Sequence, residues 1–403
     1  MRSIKYFIGM LSVLVLAACG GGSNDNPAVE PASPAVVQNV QPIIVDGGPT
    51  GVENVPYVTV TICQPGNVTA CQTIDHIQVD TGSSGLRLIA SALPAGFTLP
   101  ALNDSTGNPI AECEQFADGY TWGSVKQGDL RIAGELASKI SIHIIGDDAF
   151  PSVPAGCSNT LAAENTVGTF KANGLIGISI FNKDCGSRCA ADAPEGNYYV
   201  CPNGLCVTTA VDIDSQVGNP VASFAQDNNG TLIKMAAIGP NGAATAAGSL
   251  IFGINTQPDN MLRDVNIYGL DESGNFATDY NGQIMPGFLD SGSGALIFSD
   301  DNIQKCTLKT NFYCPASSLN LRAVNTGTNG VNGVVNFSVA NADLLTSSNP
   351  PNFSLSNYAS DSDFFPAIQD KFDWGLPFFF GRSVYTALDG ALAGGVEGPY
   401  VAY

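Results

Sequence analysis

Val79-Asp80-Thr81-Gly82-Ser83-Ser84-Gly85-Leu86 stands in the first half of this chain, and Leu289-Asp290-Ser291-Gly292-Ser293-Gly294-Ala295-Leu296 answers it in the second. Each copy holds an apolar approach, an Asp, a hydroxyl residue, a Gly, a Ser and a return to apolar residues. Before the first copy, His76-Ile77-Gln78-Val79 alternates as a strand does, and Gly287-Phe288-Leu289 leads into the second. A carboxylate at a strand end is pushed out on a tight turn, with Gly82 and Gly292 expected to let the backbone make it. The hydroxyls of Thr81, Ser83, Ser291 and Ser293 are placed to bond the carboxylates or the facing turn. Where two such turns meet, Asp80 and Asp290 come to within about 3 Å, resist double ionisation and share one proton. The pair titrates as a unit, one member activating a water while the other polarises a carbonyl. A lone Asp-Thr-Gly is common in β-turns; the matched contexts carry the reading.

Composition agrees. The 403 residues are 44% hydrophobic, enough for a large core. Acids outnumber bases 36 to 16, a net charge of −20, and such a surface repels phosphate backbones, which argues against nucleic-acid binding. Forty-five glycines imply short strands joined by turns. Tyr57-Val58-Thr59-Val60-Thr61-Ile62 is one such strand. The two histidines, His76 and His143, are too few for a His-rich metal site. An even offset along a strand puts His76 on the face of Asp80; tuning of the dyad is one reading, and a structural role, as for His143, is the one assigned. Phe378-Phe379-Phe380 is assigned to the core.

The first residues form an address. A basic start, an apolar run from Tyr6 to Leu16, and Leu16-Ala17-Ala18-Cys19 follow the secretory pattern. The last four residues resemble the bacterial lipobox, which implies a signal peptide over 1–18 and a lipid on Cys19. Gly20 after the Cys goes, in bacterial lipoproteins, with outer-membrane sorting. Residues 19–52 are expected to be the lipidated Cys and a flexible tether. Of eleven cysteines, setting aside Cys19 leaves an even number, which in an oxidising envelope means disulfides. Cys63 and Cys71 flank the turn Gln64-Pro65-Gly66-Asn67; Cys306 and Cys314 form a second local pair; Cys113 and Cys157 remain for each other. Cys185, Cys189, Cys201 and Cys206 are read as two disulfides of open pairing, with a four-thiolate zinc site as the alternative.

These landmarks, in order, resemble the two-lobed pepsin-like aspartic peptidases over nearly all the mature length. The two Asp turns look like that family's active-site turns. Gly119-Tyr120-Thr121-Trp122-Gly123-Ser124 looks like its flap, which implies that Tyr120, Trp122 and Gly123 contact substrate. Asn173-Gly174-Leu175-Ile176-Gly177-Ile178 is similar to the apolar segment threading behind the first Asp. Its counterpart in the second half is either Trp374-Gly375 or Phe380-Gly381. Gly248–Asn255 resembles the strand opening the second lobe. Arg87 stands where the family usually has Trp; it either acts on a dyad or substrate carboxylate or points to solvent. The lipobox, the cysteines and Trp374-Gly375-Leu376-Pro377-Phe378-Phe379-Phe380-Gly381-Arg382 also resemble a bacterial secreted group of unknown function, DUF3443.

The resulting expectation is an all-β, bilobal pepsin-like double β-barrel with a central cleft. The N-terminal lobe is placed over 53–222 and the C-terminal lobe over 223–403. Asp80 and Asp290 are the catalytic pair, supported by Thr81, Gly82, Ser83, Ser291, Gly292 and Ser293. Tyr120, Trp122, Gly123 and Arg87 are assigned to substrate. The resemblance implies an envelope endopeptidase, monomeric, needing no metal or cofactor and touching the membrane only through Cys19. A catalytically silent lipoprotein holding peptide or glycan is the alternative, and a two-carboxylate glycosidase a third class.

Overall fold

Alternating, β-branched stretches pair with their neighbours through tight turns, and the result is two barrels. The computed structural model describes residues 39–403 and is all-β, with one closed six-stranded barrel and one nearly closed seven-stranded barrel. The segment expected to be a signal peptide and Cys19 lie outside the described residues. No helix among the described residues is long and apolar enough to cross a membrane.

The first barrel runs, in ring order, through Pro56–Cys63, Cys71–Asp80, Gly174–Ile178, Ser84–Ile89, Glu135–Ile145 and Gly119–Ile132, which returns to Pro56–Cys63. Val58, Val60 and Ile62 point inward by strand alternation and are buried with Ile77, Val79, Leu86 and Leu88. The turn between the first two strands uses Gly66 at φ 73° and the Asn67 side chain, which accepts from Thr69 N. Cys63 and Cys71 are directly opposed across it and form a disulfide.

The second barrel orders Asn332–Val339, Leu319–Thr326, Phe276–Tyr280, Gln283–Leu289, Phe372–Trp374, Leu296–Ile297 and Ala359–Ser360. Its core is aromatic: Phe372 stacks on Phe298 at 4.9 Å and on Trp374 at 4.2 Å. Phe378, Phe379 and Phe380 are buried, as expected.

A sheet shared by both halves ties the barrels together. Val40–Val45 pairs with Pro56–Cys63 on one side and with Ala246–Phe252 on the other, and the sheet continues through Gly230–Met235, Ser383–Ala387 and Tyr400–Ala402. This corrects one boundary. Residues 40–45 were assigned to the tether, yet Val-Gln-Pro-Ile-Ile-Val carries the β-branched side chains of a strand and buries Ile43 and Val45.

Five disulfides form. Three are the expected Cys63–Cys71, Cys113–Cys157 and Cys306–Cys314. The open group resolves into Cys185–Cys189 and Cys201–Cys206, which consumes the four thiols a zinc site would use. Cys113–Cys157 spans 44 residues, the longest closure, and pins the Ile110–Gln115 strand to the short helix Ala155–Ser158. By loop entropy its removal costs about 4 kcal/mol, against about 2.5 kcal/mol for an eight-residue loop such as Cys63–Cys71. We expect Cys113→Ser/Cys157→Ser to lower the urea midpoint more than Cys63→Ser/Cys71→Ser; equal shifts would show that the long loop is already ordered in the unfolded chain.

Candidate active site

Each Asp turn is built the same way. Gly174–Ile178 runs parallel to Cys71–Asp80 and antiparallel to Ser84–Ile89, so it lies between the strands that enter and leave the first turn. Phe372–Trp374 does the same between Gln283–Leu289 and Leu296–Ile297. Trp374-Gly375, rather than Phe380-Gly381, is therefore the counterpart of Ile176-Gly177. Gly375 has no room for a Cβ, which would lie 2.0 Å from Ala295 O.

The turns meet and lock by reciprocal hydrogen bonds. Ser291 N donates to Thr81 Oγ1 at 2.9 Å and Thr81 N to Ser291 Oγ at 3.2 Å. The same hydroxyls donate onward: Ser291 Oγ–H to Val79 O at 2.8 Å, Thr81 Oγ1–H to Leu289 O at 3.1 Å. Both hydroxyl residues are buried. A buried hydroxyl that keeps every partner holds its turn rigidly, because breaking one bond strands a polar atom.

Gly82 and Gly292 do a different job from the one assigned. Neither has a positive φ. A Cβ on Gly82 would lie 2.8 Å from Asp290 Cγ, and one on Gly292 would lie 2.8 Å from Asp80 Oδ1. The glycines make room for the opposing carboxyl. Each also donates its N–H to its own Asp, Gly82 to Asp80 Oδ1 at 2.6 Å and Gly292 to Asp290 Oδ1 at 2.8 Å. Ser83 Oγ donates to Asp80 Oδ2, and Ser293 Oγ lies 3.0 Å from Asp290 Oδ2. Burial, then the neighbouring charges of Asp80 and Asp373, push the Asp290 carboxyl well above its ordinary range. Asp373 was not singled out in the sequence. It lies behind Asp290, with Oδ2 2.6 Å from Ser293 Oγ.

A cleft of about 550 Å³ opens over the two carboxyls. Phe116 and Phe170 wall it on one side, Phe312, Tyr358 and Phe365 on the other. Phe312 stacks on Tyr358 at 4.4 Å, and the Lys309 ammonium sits beside both rings and 3.3 Å from Glu53 Oε1. At the hairpin tip, Asp118 repels Glu164; burial and that repulsion raise the Glu164 carboxyl to about 7. The signal for these wall residues was weak, since an aromatic in a loop is as often core as surface.

Four expected substrate contacts are elsewhere. The hairpin of Ile110–Gln115 and Gly119–Ile132 presents Phe116, Ala117 and Asp118 to the cleft. Tyr120 and Trp122 share the opposite, buried face with the Cys113–Cys157 disulfide and Tyr199, and Trp122 Nε1 donates to Phe150 O at 2.9 Å. Gly123 is pressed against Ile144 O, where a Cβ would lie 1.8 Å away. Arg87 is wholly buried. Its guanidinium bonds Glu112 at 2.7 Å, Glu114 at 3.0 Å and Ser84 O at 2.6 Å, with Asp184 at 3.6 Å. It neither lines the cleft nor points to solvent; it braces the strand leaving the first turn. Glu112, Glu114 and Asp184 converge closely enough to suggest a cation site, and the guanidinium is the cation there. His143 is buried beside Glu112. Burial and the Arg87 charge hold its pKa well below the usual value, so the ring is neutral. His76 leaves the face of Asp80 because its strand carries one extra residue between Ile74 and Ile77, opposite Val58 and Val60, and His76 takes φ 49°; it lies edge-on to Tyr57, near Asp46 and Asp75.

One family model matches residues 35–403, that of DUF3443, a protein of unknown function. The chain belongs to the DUF3443 family. No curated protein matches it. For this DUF3443 member the chemistry of the site must be argued from its own residues.

Two outcomes follow from the buried charges. Arg87→Met leaves acids without their cation, and near neutral pH we expect a loss of about 3–5 kcal/mol in unfolding free energy; unchanged stability with a weakened ligand affinity would restore the substrate role. The second concerns pH. Glu114 and Glu135 are raised to about 7, mainly by burial, and Glu112, Asp290 and Asp373 are raised too. Between the unfolded carboxyl range and those values the folded chain holds more protons than the unfolded chain. Stability therefore falls as pH rises from about 4 towards about 7. Urea midpoints across that window should decline, and a rising profile would contradict the raised carboxyls.

Proposed function

We propose that this protein is an aspartic endopeptidase whose dyad is Asp80 and Asp290. The observation that carries the reading is the reciprocal seating of the two turns, each glycine making way for the other turn's carboxyl. Two carboxyls so close share a proton. The ionised member takes a proton from a water lying between them as that water attacks a peptide carbonyl. The protonated member polarises the carbonyl oxygen and donates its proton, and the leaving nitrogen is then protonated from the dyad. Only protein carboxyls and water enter these steps.

The support in the rest of the site is steric and electrostatic. The Gly82 and Gly292 N–H groups and the Ser83 hydroxyl stabilise carboxylate charge. The cleft suits an extended peptide with apolar side chains against the aromatic walls. A glycosidase of the inverting kind needs carboxyls about 6.5–9.5 Å apart, wider than this seating. By the same reading the protein is held in the bacterial envelope by a lipid on Cys19, meets the membrane only there, and works as a monomer on peptides or proteins.

A second reading has one observation in its favour. Tyr120, the residue a pepsin-like flap would lay over substrate, is packed into the core, as a protein that holds peptide without cutting it would tolerate. Cleavage decides. The soluble form from Gly20 is incubated with a diverse peptide library from about pH 3 to about pH 7.5, beside Asp80→Asn and Asp290→Asn. The expected result is cleavage that falls at least about a thousandfold in each variant. A folded, disulfide-intact protein that cuts nothing at any pH would leave the binding reading.

A further inference from the structure

Asp373 is a buried carboxyl that the dyad chemistry does not require. It is 1% exposed, and its Oδ1 has no hydrogen-bond partner. Its strand neighbours are Phe288 on one side and Ile297 on the other. The charged groups facing it are Asp80 and Asp290, both acids. Its hydrogen-bond partner among the described residues is Ser293 Oγ at 2.6 Å, and that oxygen also lies 3.0 Å from Asp290 Oδ2.

A serine hydroxyl has one proton. It cannot donate to two carboxylates at once, so forming both bonds requires one carboxyl to be the donor. Asp290 already accepts from Gly292 N, whereas Asp373 has neither an N–H nor a cation to stabilise charge. Burial raises the Asp373 carboxyl well above its ordinary range, consistent with the count of donors.

The first half shows that the fold does not demand an acid there. Gln78 pairs with Leu175 as Phe288 pairs with Asp373, two residues before each catalytic candidate. The equivalent place is thus apolar, and Ser83 serves Asp80 alone. The third carboxyl makes two otherwise matched turns unequal.

We propose that Asp373 is a positioning residue that carries a proton, donates it to Ser293 Oγ and so turns the Ser293 hydroxyl proton onto Asp290 Oδ2. When Asp373 ionises, its proton leaves to solvent and Ser293 turns its own proton to the Asp373 carboxylate. Asp290 then loses a donor and gains a like charge, both of which strengthen the pair's hold on its shared proton. The ionised Asp373 thus extends the working range of the dyad on the alkaline side. The inference rests on the dyad reading for its effect on rate, but not for its protonation claim.

The test separates the two. Infrared difference spectra of the soluble form near pH 6.5, above the range of a free carboxyl, compare the wild type with Asp373→Asn in the carboxylic-acid C=O region. The expected result is an acid band that Asp373→Asn removes. Identical spectra mean an ionised Asp373 and overturn the proposal, whether or not the protein cuts peptides. Should the Asn variant fail to fold, a carbon-13 titration of the wild-type Asp side chains reads the same proton. Where peptide cleavage is found, Asp373→Leu, the residue type of the first half, should lower kcat/KM about tenfold, the scale of one lost hydrogen bond. Asp373→Asn, whose amide still donates to Ser293, should rescue that loss and, lacking the carboxylate charge, move the alkaline limb down by about one pH unit. An alkaline limb that stays put in the Asn variant would also overturn the proposal.

Discussion

Two hydroxyls, on Thr81 and Ser291, hold the halves of this molecule together at their most demanding point. Each accepts an N–H from the other turn and donates to a carbonyl of the strand that delivers the other turn. Four hydrogen bonds in a dry setting fix two strand ends, one from each barrel, at van der Waals contact. The glycines follow from that contact, since any side chain there would strike a carboxyl. So does the shared sheet, because barrels that drifted apart would strand all four buried polar groups.

The threading strands supply the stiffness behind the turns. Gly174–Ile178 and Phe372–Trp374 each lie between the strands before and after an Asp, one pairing parallel and one antiparallel. A turn whose two limbs are clamped through a third strand cannot open like a hairpin. Parallel pairing inside a barrel needs burial on both faces, and the core meets this with Ile176 on one side of the molecule and Trp374 on the other.

What the sequence made legible was whatever rested on local chemistry. The Asp turns, the alternating strands and the disulfide across Gln64–Asn67 all follow from residues close together in the chain. The seating of one turn on the other followed from matched patterns. Three things were hidden. The cleft face of the hairpin depends on which alternate set of side chains looks inward, and the Cys113–Cys157 bridge draws Tyr120 and Trp122 to the core side. Arg87 needs three acids gathered from Glu112, Glu114 and Asp184, of which Asp184 is far away in sequence. Asp373 sits in Phe-Asp-Trp-Gly, where a strand about to be buried on both faces gives no local reason for a carboxyl. His76 was misplaced by one bulge, because a single extra residue reverses the face of everything before it.

The raised carboxyls also connect stability to chemistry. Desolvation penalises the charged form of an acid wherever it acts, and here it acts both at the cleft floor and around Arg87. Burial raises the Asp290 and Asp373 carboxyls as it raises those of Glu112 and Glu114. The same desolvation acts where the first barrel gathers three acids around a single guanidinium. Raising the pH strains both together: it charges the acids that brace the first turn and the acid that stands behind the second. A net charge of −20 adds self-repulsion of the same sign. The chain is therefore built to be firmest on the acid side of neutrality.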